Sequence, residues 1–146
     1  MGLINNLFGG KPRKTVQDER FGEMILFRPQ GAASIWAGKW ELSDDNLEFY
    51  ISGDEQEPAE DALQVLEKLL AEPELLGQAK AAVIETLRNA DEGYAQERFE
   101  SDMALAAISV KAAGLFEICY VQRHDPYYHF NVAFEESGVV GVSIDS

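Results

Sequence analysis

The chain has 146 residues, 46% of them hydrophobic, which is enough for one domain with a substantial buried core. Its net charge of −14 disfavours binding to nucleic-acid phosphates or anionic lipid and favours a basic partner. No apolar run approaches the roughly 20 residues that span a bilayer, so we expect no stable membrane insertion. The single cysteine, Cys119, excludes an intramolecular disulfide and is typical of a cytoplasmic protein.

The charge is divided unevenly along the chain. Residues 1–20 hold four basic and two acidic residues, whereas the remaining chain holds 8 basic and 24 acidic residues. We interpret residues 1–20 as a flexible N-terminal lead and residues 21–146 as a single α+β domain. The apolar cluster at residues 3–8 leaves open whether the lead is ordered or touches a membrane surface.

The first part of the domain has strand-like patterning in three segments. Residues 22–28 are mostly apolar, residues 34–42 place both tryptophans on one face, and residues 46–52 alternate between apolar and polar. The polar residues 43–45 are typical of a turn, so the last two segments should form a hairpin. We expect both tryptophans to lie in the core.

The middle of the sequence predicts two helices. Pro58 suits a first helical turn, and an apolar stripe at helical spacing follows over residues 62–70. Pro73 restarts the pattern, and a second stripe covers residues 75–87. Because the break is so short, we expect the two helices to pack as a hairpin.

Strand patterning returns after the helices and predicts a four-stranded meander. Alternation over residues 115–122 and 127–135 pairs three inward residues of one strand with three of the next: Phe116 with Phe134, Ile118 with Val132, and Tyr120 with Phe130. Cys119 then lies opposite Asn131 on the outer face, and His129 lies opposite Val121. The predicted class is α+β, an antiparallel sheet of three N-terminal and four C-terminal strands packed against a central two-helix hairpin.

The residues with catalytic potential form no recognised motif. Cys119 lies in mid-strand, where no glycine-rich elbow or helix N-terminus lowers the thiol pKa. His124 and His129 flank a loop, and their spacing from Cys119 and Asp125 fits no zinc pattern. No phosphate-binding loop or nucleophile elbow occurs. We therefore predict no catalytic residue, no metal and no cofactor.

Outward-facing aromatic and acidic side chains are better candidates for binding a partner. Tyr50 and Tyr127 alternate outward from apolar neighbours, and exposed tyrosines often anchor protein interfaces. We predict that Glu48, Tyr50, Tyr127 and His129 contact a protein partner, and that reversing the charge at Glu48 slows association.

Three segments, residues 21–23, 36–42 and 105–145, have a combination of residues found together elsewhere. The clearest motifs are Ile108-Ser109-Val110, Gly114-Leu115-Phe116-Glu117-Ile118, Tyr128-His129-Phe130 and residues 141–145. With these segments the chain resembles a family of uncharacterised bacterial domains that has an N-terminal hairpin, two central helices and a C-terminal meander. Some members are suspected immunity partners of bacterial toxins. The resemblance therefore implies a protein partner, in the form of a basic toxin.

Three functional hypotheses follow. The first is a small acidic protein-binding module, with immunity to a basic bacterial toxin as its specific role. The second is a small-ligand-binding protein or enzyme with a pocket between the sheet and the helices, near Cys119, His124 and His129. The third is a scaffold protein that forms a homodimer.

Overall fold

The computed structural model describes residues 13–40, 47–112, 115–135 and 138–145, which form eight strands and three α-helices. The strands are β1 Thr15–Asp18, β2 Gly22–Arg28, β3 Ser34–Trp40, β4 Leu47–Gly53, β5 Met103–Ala112, β6 Leu115–Gln122, β7 His129–Glu135 and β8 Gly138–Asp145. The helices are α1 Glu60–Ala71, α2 Pro73–Ala90 and α3 Phe99–Asp102. The predicted turns at residues 43–45 and 113–114, residue 137 and the cluster at residues 3–8 lie outside the described residues.

All eight strands belong to one sheet, and their order in the sheet is their order in the chain. Neighbouring strands are antiparallel except β4 and β5, which are parallel because the three helices lie between them and carry the chain back across the sheet. The α+β class is thereby confirmed.

The N-terminal half contributes four strands to the sheet, whereas the sequence predicted three. The additional strand, β1, lies within the segment that was interpreted as a lead and pairs with β2 through Val16 opposite Met24. Its four residues include Val16 as the one apolar side chain, so the strand is too short to show an alternating pattern.

One face of the sheet carries the main core. Helix α1 packs on β4 and β5, and α2 packs on β7 and β8. The largest fully buried side chains on this face include Trp36, Phe49, Phe134, Met24, Leu47, Ile51, Ile108 and Ile118. The two helices are joined through Glu72 alone and contact different strands. Their packing as a hairpin stays a prediction.

Gly38 allows the close packing of β3 against β4. A Cβ atom at this position would lie 2.5 Å from Cε2 of Phe49, whose ring is fully buried and meets the ring of Phe21 edge-on. The prediction for both tryptophans agrees with this packing, since Trp36 is fully buried and Trp40 packs against the core. The Trp36 indole N–H donates to the backbone carbonyl of Asp54 at 2.8 Å.

The opposite face of the sheet carries none of the three described helices, and we call it the open face. A small apolar cluster lies at one end of it, where Ile25 and Ala37 are buried beneath the side chains of Phe27 and Tyr50. Towards the other end of the sheet, small and polar side chains from β5 to β8 line the same face. This uncovered surface holds three of the four residues that the sequence predicted to bind a partner.

Candidate functional site

The open face carries a pair of hydrogen-bonded side chains on β4. The Tyr50 hydroxyl donates a hydrogen bond to Glu48 Oε2 at 2.7 Å, and the Tyr50 ring meets the Phe27 ring edge-on at a centroid distance of 5.5 Å. Burial of the ring and the bond to Glu48 raise the pKa of the Tyr50 hydroxyl far above its usual value. The hydroxyl therefore remains protonated and holds the carboxylate in one orientation.

Two rows of residues cross the open face from this pair towards the far edge of the sheet. In the first row the strand partners run from Glu48 through Ala107, Cys119 and Asn131 to Ser143. In the second they run from Tyr50 through Ser109, Glu117 and Ala133 to Gly141. Because most of these side chains are small, they leave a shallow surface beside the Glu48–Tyr50 pair on which another chain can lie.

Two further carboxylates border this shallow surface. Glu117 lies 3.4 Å from the Lys111 ammonium, and Asp145 accepts a hydrogen bond from the Asn131 amide at 2.7 Å. Both are close enough to Cys119 to influence its thiol. Together with Glu48 they are three of the carboxylates on the open face, since Glu23 of β2 and Glu135 of β7 lie on the same face.

Cys119 has the properties of an unreactive thiol. Burial raises the pKa of Cys119 to about 11, and the negative charges of Glu117 and Asp145 add to that shift. A thiol with this pKa is protonated at neutral pH and is a poor nucleophile.

The pocket that the sequence suggested near Cys119, His124 and His129 does not lie between the sheet and the helices. Cys119 and His129 are on the open face, and His124 is exposed in the loop between β6 and β7. Two cavities of about 320 and 310 Å³ lie elsewhere, one between the end of β4 and the start of α1, the other beside Lys80 and Arg88 of α2. Within the described ranges, no three histidine, cysteine or acidic side chains are grouped so that they could hold a metal ion.

The four residues predicted to bind a partner fall into two groups. Glu48 and Tyr50 form the hydrogen-bonded pair on β4. His129 begins β7 and faces the same side of the sheet, whereas Tyr127 lies in the preceding loop with 66% of its surface exposed. Since β4 and β7 are three strand positions apart, the two groups are separated by about 14 Å.

Sequence reasoning missed Glu117, Asn131 and Asp145 as members of the site. The signal for Glu117 was present, because it lies two residues before Cys119 and so shares its face. The position of Asp145 depends on the pairing of β8 with β7, which puts it opposite His129. That register is set by a bulge at Val140 that the sequence pattern did not show.

The helical side of the molecule carries most of the negative charge. Residues 54–102, which we call the acidic helical layer, contain 14 acidic and 4 basic residues. Some of these carboxylates form ion pairs, such as Glu60 with Arg20 and Glu100 with Lys80. Most of the others are exposed, so they contribute to the overall field more than to a shaped site.

None of the described helices combines the length and the apolar character needed to cross a membrane. Comparison of the chain with protein families, with curated proteins and with solved structures gives no match. The geometry defines the class of the molecule, an α+β domain whose described helices pack on one face of a single eight-stranded sheet.

Proposed function

We propose that the protein is a small acidic protein-binding module that binds a basic protein on the open face of its sheet. The observation that carries the proposal is the Glu48–Tyr50 pair, a carboxylate held by a half-buried tyrosine on a face that no described helix covers. Tyrosine contributes a large contact area, and its ring here is already fixed by packing against Phe27. Less conformational entropy is therefore lost when a partner binds.

The partner side chain that best suits this surface is an arginine. A guanidinium group can pair with the carboxylate of Glu48 and lie against the Tyr50 ring, and both interactions strengthen when water is excluded. The small residues Ala107 and Ser109 on the neighbouring strand leave room for its approach. Glu117 offers a further carboxylate for a second basic residue of the partner.

The charge of the whole chain supports a basic partner through the rate of encounter. At −14 the protein produces an attractive field for a positively charged protein, and the acidic helical layer supplies the largest share of it. This attraction is screened within about 10 Å at 0.1 M salt, so it speeds approach without fixing the docked position.

The resemblance to bacterial domains suspected of toxin immunity supplies the most specific form of the proposal. In that form the protein is cytoplasmic, and its partner is a basic bacterial toxin whose positive surface the open face occupies. Tyr127 and His129 would then contact the edge of the toxin, because Tyr127 lies in the loop before β7 and His129 begins that strand on the open face.

The test is a capture experiment followed by kinetics on the purified pair. Tagged protein is used to capture partners from a lysate of its source cells at low and at moderate salt. Association rates are then measured for the captured protein with the wild type, with Glu48→Lys and with Glu85→Lys. Glu85 is an exposed carboxylate on α2, so its reversal changes the net charge equally without altering the open face.

We expect Glu48→Lys to slow association and to speed dissociation, because it affects both attraction and contact. Glu85→Lys should produce a small change in association alone. If the two variants behave identically, Glu48 is not part of the interface. If every captured protein is acidic or neutral, the proposal of a basic partner is wrong.

A further inference from the structure

The last strand of the sheet, β8, has an edge unlike that of an ordinary exposed strand. Its inner side pairs with β7, and it ends the strand order, so no other described strand pairs with its outer side. Every residue of the strand except Val142 is exposed. Strand edges of this kind expose unpaired backbone N–H and C=O groups that can pair with another chain.

The side chains of β8 do not protect this edge. Proteins commonly protect an exposed strand with lysine, proline, an inward-pointing charge or a β-bulge, or by making the strand very short. The bulge of β8 lies at Val140, which leaves residues 141–145 without any of these devices. From Gly138 to Asp145 the strand has one charged residue, Asp145, which is bound to Asn131 of the same chain. Exposed apolar side chains replace the protective ones, with Ile144 52% exposed although it faces the helical side.

The opposite edge of the sheet is protected in the ways that β8 lacks. Strand β1 has only four residues. It is preceded by Arg13 and Lys14 and followed by Arg20, and the last of these forms ion pairs with Asp18 and Glu60. The contrast indicates that the exposed edge of β8 has a use.

We propose that β8 pairs with β8 of a second copy of this chain, so that two eight-stranded sheets join into one continuous antiparallel sheet. The pairing is centred on Ser143, which lies opposite Ser143 of the second copy. Val142 of each copy then lies opposite Ile144 of the other copy, and Gly141 of each lies opposite Asp145 of the other. Because the bulge at Val140 interrupts the strand, the regular part available for pairing is residues 141–145.

The residues of β8 suit this register. Val142 and Ile144 lie on the helical face of the sheet, opposite Val132 and Phe130 of β7, so the pairing covers the exposed Ile144 with an apolar neighbour. Asp145 falls across from Gly141, which has no side chain to clash with it. The two Asp145 residues are then four positions apart along the strands, or about 13 Å, which exceeds the screening distance of about 10 Å at 0.1 M salt.

The occupant is a second copy because the strand is complementary to itself. Both apolar contacts and both aspartate–glycine contacts are generated by one two-fold axis, which is the arrangement of an isologous dimer. A basic partner would gain little at this edge, since the strand offers Asp145 as its only charge and that carboxylate is already hydrogen-bonded. The net charge of −14 per copy opposes dimerisation, so the dimer should tighten as salt is raised.

The test is the mass of the protein in solution, measured by sedimentation or light scattering over a range of concentrations and salt. We expect a species of twice the 16.2 kDa chain mass. Ile144→Lys should give a monomer at concentrations where the wild type is dimeric. Tyr127→Lys, which changes an exposed aromatic residue in the loop before β7, should remain dimeric.

A second pair of variants tests the register itself. A Cβ atom at Gly141 would contact nothing within 4 Å, so substitution there leaves the monomer undisturbed. Gly141→Asp places a carboxylate opposite Asp145 of the other copy at both ends of the pairing. It should therefore raise the dimer dissociation constant about tenfold relative to Gly141→Asn. Equal constants for these two variants would rule out the register.

The proposal is overturned by a wild type that is monomeric throughout, or by a dimer that survives Ile144→Lys. Hydrogen exchange gives an independent readout, because the β8 amides should become protected as the concentration rises. These results are separable from the proposed binding of a basic protein, which should weaken with salt and depends on Glu48. The dimer should strengthen with salt and be unaffected by Glu48→Gln.

Discussion

The Tyr50 hydroxyl lies 2.7 Å from Glu48 Oε2, and this bond joins two outward-facing side chains of the same strand. The Tyr50 ring also covers Ile25 and Ala37 together with Phe27, so one residue links the apolar and the acidic parts of the open face. The pair is thus a structural element as well as a candidate contact for a partner.

The two roles of Tyr50 can be separated by substitution. Tyr50→Phe removes the hydrogen bond and keeps the ring, and we expect it to lower the free energy of unfolding by about 1 kcal/mol. Tyr50→Ala also uncovers Ile25 and Ala37 and should cost about 3 kcal/mol. Urea denaturation of the two variants measures both values. Equal losses would mean that the ring makes no packing contribution.

Cys119 should make the protein less stable at alkaline pH. In the unfolded chain its thiol ionises near pH 8.5, whereas in the fold burial raises the pKa of Cys119 to about 11. The unfolded state therefore binds fewer protons between these values, so stability present below pH 8.5 is lost as the pH rises towards 11. By pH 10 the loss should be about 1 to 2 kcal/mol.

Comparison with Cys119→Ala isolates this contribution. The tyrosines ionise in both proteins, so their effect cancels in the difference between the two unfolding free energies. We expect the difference to change between pH 8 and pH 10 and to be constant below pH 8. A reagent for thiols should also react slowly with the folded protein at neutral pH, and rapid reaction would contradict the inert thiol that the geometry indicates.

Gly38 and Gly77 should respond to alanine in opposite directions. Gly38→Ala directs a methyl group into the Phe49 ring, and we expect a loss of about 1 to 3 kcal/mol. Gly77 lies in α2 and has open space around its Cβ direction, so alanine there should add up to about 1 kcal/mol through helix propensity. Thermal unfolding of the two variants checks the signs, and a stabilising Gly38→Ala would contradict the packing of β3 on β4.

Asp18 organises the turn between β1 and β2. Its Oδ1 accepts the backbone N–H groups of Arg20 and Phe21 at 2.8 and 3.1 Å, and its carboxylate pairs with the Arg20 guanidinium. Burial pushes the pKa of Asp18 upward, but hydrogen bonds from Arg20 and Phe21 outweigh it, so the pKa lies below its usual range. We expect Asp18→Ala to cost about 2 kcal/mol at pH 7.

The lowered pKa of Asp18 also predicts how the free energy of unfolding changes at acid pH. Because the folded pKa of Asp18 is lowered, its stabilisation is present above the unfolded value of about 3.9 and is lost as the pH falls through the folded value. The cost of Asp18→Ala should therefore shrink in urea titrations carried out near pH 3. Glu60→Gln serves as the control, since that exposed partner of Arg20 should contribute at most about 0.5 kcal/mol at either pH.

Much of the C-terminal sheet was predictable from alternation alone. The pairing of Ile118 with Val132 and of Cys119 with Asn131 is confirmed, because a shift of one residue would expose every apolar side chain of both strands. Strand β1 was not predictable, since a single apolar residue in four carries no period. The parallel contact of β4 with β5 depends on how three helices cross the sheet, which local patterns do not encode.

The candidate site was likewise predictable only in part. The outward direction of Glu48 and Tyr50 followed from the alternation of β4, but the hydrogen bond between them depends on side-chain geometry. The grouping of Glu117 with Asp145 requires the order of strands β6, β7 and β8, together with the bulge at Val140. The sequence therefore predicts which side chains of one strand face outward, but not which side chains of different strands lie close together.

The most direct test of the open face as the binding surface is an NMR titration with a short arginine-rich peptide. The probe is added to isotopically labelled protein at moderate salt, and the amide shifts are mapped onto the strands. We predict that the largest shifts occur around Glu48, Tyr50 and Glu117, and that Glu48→Lys removes them. Shifts confined to the acidic helical layer, unchanged in Glu48→Lys, would contradict the account.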